Sequence, residues 1–273
     1  MTGAPTRQAT TRGLVVQSYR VAGVPPVLPR CMRSVRQWAA SRSIEYEFLD
    51  DRLFDFVPSW LRERCQGSSL LPLTDLARLL VLKERLAHGY DPVVWIDADV
   101  LIFDPDSFAP HLADPYAFCK EVWIARPPGG ATQIVHGVNN AVTVMRTNNP
   151  VLDFYIHACQ AVIAGCPSGP IPHNILGTRL LSNLSSVAPL ACLTQVALLS
   201  PPVIDEVVRG RETLPRLHME HYGNAVAAAN LCVSLRGLPV YGTVIGDAEF
   251  EAFADALESS RGEILNRHLR CRV

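Results

Sequence analysis

Two spacings of apolar residues alternate along the first half of the chain. Residues 13–19 form a short apolar run (Leu14, Val15, Val16) that ends in the polar Gln17, Ser18 and Tyr19, and residues 44–49 alternate with period two before Asp50 and Asp51. Both patterns predict strands. Between them, a Pro-rich loop gives way to Met32, Val35, Trp38 and Ala39 at helical spacing, so a helix is expected over 29–41. Strand, helix and strand within about 40 residues open a parallel α/β sheet. A second helical pattern follows at 76, 79, 80, 82 and 86, with Thr74 as its expected N-cap and Gly89 closing it.

Residues 91–103 read as one long strand. Val93, Val94, Trp95 and Ile96 are followed by Asp97-Ala98-Asp99, and apolar residues resume at Val100. An apolar run on both faces predicts a buried central strand. Further strands are expected at 116–119, 122–125, 139–145 and 196–199, with a turn at 127–130. Helices are expected over 151–164, in the Ala-rich stretch 224–235 and over 247–259, and 168–178 reads as a loop opening into a helix. Residues 1–12 read as a flexible tail and 13–273 as one domain, regular in 13–145 and less regular in 146–273.

Composition narrows the classes. With 48% hydrophobic and 19% charged residues in 273, the chain can bury a sizeable core, which excludes a disordered protein. A net charge of −1 gives no electrostatic case for nucleic acid or an anionic membrane surface. The eight cysteines form no CxxC pair and lie mostly among apolar residues, as reduced thiols of a cytoplasmic protein do. No apolar stretch reaches about 18 residues, so no transmembrane segment is expected.

Two carboxylates inside a buried strand are costly unless something compensates them, and a cation at the strand's edge is the simplest compensation. The stretch from Leu73 to Phe103, a helix beginning Thr74-Asp75-x-x-Arg78 before a strand that ends in Asp97-Ala98-Asp99, resembles the nucleotide-sugar half of GT-A glycosyltransferases. That resemblance implies a Rossmann-like, mostly parallel sheet flanked by helices, with 13–145 binding the nucleotide sugar and 146–273 forming an irregular acceptor side. It implies a cytoplasmic, bacterial-type hexosyltransferase that uses a nucleotide diphosphate sugar and Mn²⁺ or Mg²⁺. A hard divalent ion held by carboxylate and diphosphate oxygens would neutralise the charge that grows on the leaving group.

By the same resemblance, Asp99 would bind the metal directly and Asp97 would contact it or the ribose, with Ala98 between them. Asp75 and Arg78, neighbours on one helical face, would point at the donor sugar and diphosphate. Gln17, Ser18, Tyr19 and Asp51 would meet the base or ribose, since parallel sheets bind ligands at the carboxyl ends of their strands. Asn140, in an Asn139-Asn140-Ala141 version of the family's amide-bearing strand, would face the donor sugar, and His173 the diphosphate or acceptor. His221, in preference to His218, is the expected late metal ligand. His136 receives no role, and Asp205, Glu206 and Glu220 are undistinguished candidates for a base.

Two other readings fit the same residues. In a phosphatase of the haloacid dehalogenase type, Asp97 would be the nucleophile, Asp99 the acid/base, and Lys120 and Asp247 the remaining parts. A non-catalytic scaffold of the same fold would bind a nucleotide or partner without transfer.

Overall fold

The computed structural model describes residues 12–110 and 114–269. It begins with β1 (Arg12–Ser18), α1 (Val27–Ser41) and β2 (Glu45–Leu49), the expected strand–helix–strand unit. Arg12, assigned to a tail by sequence, already pairs with Tyr90, whereas residues 1–11 lie outside the described residues. α1 starts before Pro29, which sits in the first turn where a missing N–H costs nothing. A 3-10 turn and the short α2 (Ser59–Arg64) lead to α3 (Leu71–Ala87). Thr74 is not its cap. Pro72 lies at the helix start, and the Thr74 hydroxyl donates back to the Leu70 carbonyl from inside the first turn. Gly89 does close the helix, at φ +87°.

The expected long strand is two strands. β3 (Tyr90–Ile96) stops, Asp97-Ala98-Asp99 turns, and β4 (Val100–Ile102) enters a different sheet. Its partners are β8 (Val196–Leu198) and β9 (Ala228–Asn230), in the order β4-β9-β8. β9 occupies the segment expected to be an Ala-rich helix. Pairing with β4 on one side and β8 on the other satisfies its backbone and overrides the high helix propensity of alanine.

β5 (Tyr116–Ala125) and β6 (Gln133–Met145) form one long hairpin where shorter strands were expected. α4 (Leu152–Gly165), α5 (Thr178–Val187) and the two-residue β7 (Cys192–Leu193) follow. The last third is more regular than its sequence suggests. Before β9 come α6 (Pro201–Val208) and α7 (Thr213–Tyr222), and after it α8 (Asp247–Ser259) and α9 (Glu263–Asn266).

The large sheet runs β2-β1-β3-β6-β5-β7, and β6 alone among its described strands opposes the rest. Its inner strands are buried on both faces, which explains their unbroken apolar sequence. Leu14, Val16, Val93 and Trp95 pack towards α3 and α4, while Val15, Val94 and Ile96 pack with Val35 and Trp38 of α1. A third cluster gathers α6 to α9 around the small sheet. The fold is an α/β domain with a mostly parallel six-stranded sheet flanked by helices.

Candidate functional site

The chain leaves the large sheet at the Asp97-Ala98-Asp99 turn, and the backbone around it fixes where the carboxylates point. The Asp97 N–H donates to Ala141 of β6 (2.8 Å) and its carbonyl accepts from Val100 (3.1 Å). Gln17, fully buried at the end of β1, donates its amide to the same carbonyl (3.1 Å) and accepts from the Tyr46 hydroxyl (3.1 Å). Gln17 therefore braces the turn. It does not line the cleft, contrary to its expected ligand role.

Arg78 holds the centre of the site. It is 4% exposed, lies over the Trp95 ring at 5.3 Å, and pairs with Asp75 (3.2 Å) and Asp97 (3.1 Å). It also donates to the Asn140 carbonyl (2.8 Å), and the Asn140 side-chain amide donates to Asp75 (2.9 Å). Trp95 adds an indole N–H to Asp97 (2.7 Å). Burial raises the affinity of both Asp75 and Asp97 for a proton; Arg78 opposes this at both, aided by the Asn140 amide at Asp75 and the Trp95 indole at Asp97.

Asp99 differs. Its carboxylate accepts from the Asn230 amide (3.0 Å) and the Val233 N–H (2.9 Å), while the ion pairs of Arg78 go to its neighbours. Burial first, and the nearby Asp97 charge second, push its carboxyl up to about 7. This is a carboxylate short of positive charge.

Two adjoining clefts meet at Arg78, Asp97 and Asp99. The larger, about 350 Å³, opens at the carboxyl ends of β1 and β2 and is lined by Ser18, Tyr19, Asp51, Phe54, Leu71 and Ala98 among others. The smaller, about 170 Å³, is lined by Asp75, Asn139, Asn140, His173, Asn174 and Thr178 on one side and Asn230 and Ser234 on the other. The structure thus gathers nearly all the residues singled out by sequence, with Gln17 behind the wall.

His221 is the exception. It is exposed on α7, with its ring 5.5 Å from that of His136, and it lines neither cleft. His218 is fully buried and stacked on Tyr222. Neither imidazole joins Asp97 and Asp99, because α7 packs against β5 and not beside the turn. Among the described residues no three His, Cys, Asp or Glu side chains form a metal-ligating group. The side chain that does reach Asp99 is Asn230. Its place in an alanine run that reads as helix hid it from sequence reasoning.

The donor set fits a hard divalent ion of the kind bound by one or two carboxylates and completed by substrate phosphates and water. Asp99 and Asp97 would supply carboxylate oxygens, and the place of Asp99 outside the ion pairs that Arg78 makes with Asp75 and Asp97 favours a cation there. The cation that the phosphatase reading needs is turned elsewhere: Lys120 donates to the Tyr222 carbonyl (2.5 Å).

No protein-family model and no curated protein matches the chain. Among solved structures, the chain is similar to a glycosyltransferase involved in the glycosylation of the major capsid of PBCV-1, with 11% identity and a TM-score of 0.45 over 89% of this chain and 99% of that one. It is also similar to mouse xyloside xylosyltransferase 1, with 12% identity and a TM-score of 0.41 over 81% and 98% of the two chains.

Proposed function

We propose that the chain is a metal-dependent glycosyltransferase that moves a hexosyl group from a nucleotide diphosphate sugar to an acceptor hydroxyl. The observation that carries this reading is the meeting of two clefts at Asp99, a carboxylate outside the ion pairs of Arg78, between an open, partly aromatic cleft and a small amide-rich one. The larger cleft suits a nucleoside, with Tyr19 and Phe54 for the base and Ser18 and Asp51 for polar groups of base or ribose. The smaller suits a monosaccharide, because Asn139, Asn140, His173 and Asn174 offer hydrogen bonds to hydroxyls.

A divalent ion held by Asp99 and Asp97 would stabilise the negative charge that develops on the diphosphate as the glycosyl bond breaks. The protein's own part is positioning. Arg78 is tied to Asp75, Asp97 and the Asn140 carbonyl, so it fixes the angle of the Asp97 carboxylate and of the amide strand together. Asn230 and the Val233 N–H orient Asp99 from the opposite wall. Among the described residues no helix is long and apolar enough to cross a membrane. The free thiols Cys31, Cys65, Cys119, Cys159, Cys166, Cys192 and Cys232 suit a reducing compartment, and a cytoplasmic site is part of this proposal.

The test is thermal unfolding against a panel of nucleoside diphosphates and their sugars, with Mn²⁺ and with a chelator. Ligand at a hundred times its dissociation constant adds about 2.7 kcal/mol, a readable rise in melting temperature. A Mn²⁺-dependent rise confined to one base is expected. The same rise without turnover of any donor points to the non-catalytic scaffold, and no rise at all overturns the reading.

A further inference from the structure

An acceptor hydroxyl must lose its proton as it attacks a sugar, and the groups lining the two clefts decide where that proton can go. Arg78, the Asn140 amide and the Gly177 N–H hold Asp75, while Arg78 and the Trp95 indole hold Asp97. Asp99 accepts from Asn230 and the Val233 N–H, and in the proposed reading it takes the cation. Asp50 and Asp51 line only the larger cleft, at its nucleoside end, and Arg52 holds Asp50. Glu121 lines neither cleft; the Asn139 and Thr178 side chains, which line the smaller one, hydrogen-bond its carboxylate. The three bases considered from sequence stand elsewhere. Asp205 and Glu206 of α6 line a separate cavity of about 510 Å³ and pair with Arg209 and Arg126, and Glu220 of α7 lines neither cleft. Every Asp and Glu of the chain lies among the described residues, so no side-chain carboxylate falls outside this account.

Two other titratable groups line the smaller cleft. Burial pushes the Cys232 thiol well above its ordinary range, so it keeps its proton at neutral pH. His173 is exposed and makes no hydrogen bond with another described residue. A catalytic imidazole is normally held at its other nitrogen, which fixes its tautomer and angle; His173 lacks that support. Inversion requires a base on the face opposite the leaving diphosphate, and double displacement requires an uncommitted nucleophile. The lining of the two clefts is built for neither.

Resting on the glycosyltransferase reading, we infer that transfer retains the anomeric configuration, with the departing diphosphate itself as the base. The bond from the anomeric carbon to the phosphate oxygen breaks, and its electron pair stays on that oxygen. The acceptor oxygen bonds to the anomeric carbon from the same face, and its proton passes to the phosphate oxygen just released. Such a step asks the protein to position and to stabilise charge, which is what the network of Arg78, Asp75, Asp97 and Asn140 is arranged to do. It asks for no base from the chain.

The experiment follows wild type with Mn²⁺ and the α-linked donors UDP-glucose and GDP-mannose, with methanol as a small acceptor. Methyl glycosides do not interconvert in water, so proton NMR reads the anomer at any time. The methyl α-glycoside as the sole anomer is expected. The methyl β-glycoside means inversion and overturns the inference while leaving the glycosyltransferase reading intact. His173→Gln separates the remaining case. Loss of a sugar contact lowers its rate without changing the anomer or the shape of the pH profile of kcat, and this is the result expected. A fall of about 100-fold or more that also removes the acidic limb of the profile makes His173 the base, and overturns the inference. No glycoside and no free sugar from either donor overturns the proposed function itself.

Discussion

At the scale of residues, the site is a balance of buried charge around Arg78. Asp75 and Asp97 depend on one guanidinium, and removing it leaves two buried carboxylates uncompensated. Arg78→Met is expected to cost about 3–5 kcal/mol in urea denaturation, the usual effect of breaking a buried pair from one side. An unchanged midpoint would show that Arg78 is not the structural cation of the cleft. Asp99→Asn should do the reverse, because it removes a carboxylate that burial and Asp97 both penalise. Its expected result is unchanged or higher stability at pH 8 with at least about 100-fold weaker Mn²⁺-dependent nucleotide binding by calorimetry; wild-type affinity would sink the metal assignment. Asp97 and Asp99 were legible because apolar sequence on both sides makes a carboxylate conspicuous, whereas Asp75, Arg78 and Asn140 were singled out only through the resemblance of their helix and strand to those of GT-A glycosyltransferases. Asn230 was not legible, since only its pairing in β9 turns it towards Asp99.

At the scale of elements, α5 lies unusually close to β6. A Cβ on Gly137 would stand 2.7 Å from the Ser182 Oγ, which bonds the Val138 N–H at 3.0 Å. Glycine is required here by the approach of a helix and not by its own backbone angles. Gly137→Ala is expected to destabilise by about 1–3 kcal/mol, as overpacking does. Adding Ser182→Ala removes the clashing oxygen, so the double variant should be more stable than the sum of the single effects predicts; strict additivity in a double-mutant cycle would show that the two elements are not in contact as described. Contacts of this kind are invisible in the sequence, whereas periodicity revealed β1, α1, β2, α3, β3, α4 and α8 because each buries a regular face. It failed where pairing partners decide the outcome. The alanines of β9 and the short apolar segments of the last third have no period of their own, and α6 and α7 were missed for that reason.

For the whole molecule, buried titratable groups make stability depend on pH in opposing senses. Glu121 holds its proton more tightly in the fold than in the unfolded chain, about 7 against 4.5, because burial disfavours its charge. Its contribution is therefore complete below pH 4.5 and lost as pH rises towards 7. Asp99, also pushed up by burial and also to about 7, acts in the same sense. His218 acts in the other. Burial drives its imidazole down from 6.5 to about 3, so its contribution is complete above pH 6.5 and lost as pH falls. Between about pH 4.5 and 6.5 these slopes oppose each other in the wild type, and single substitutions separate them. Relative to wild type, Glu121→Gln should gain stability from pH 4.5 to 7, by up to about 3 kcal/mol, because each tenfold difference in proton affinity between fold and unfolded chain is worth about 1.4 kcal/mol. His218→Phe should gain relative to wild type as pH falls from 6.5 to 4.5. Chemical denaturation across this pH range measures both differences, and a pH-independent offset for either variant would mean that its group titrates alike in the folded and unfolded chain. The proposed metal would connect this balance to function. With Mn²⁺ and a nucleoside diphosphate bound, ionised Asp99 acquires a counter-charge, so the stabilisation by that pair of ligands should increase as pH rises through about 7, and Asp99→Asn should abolish the increase.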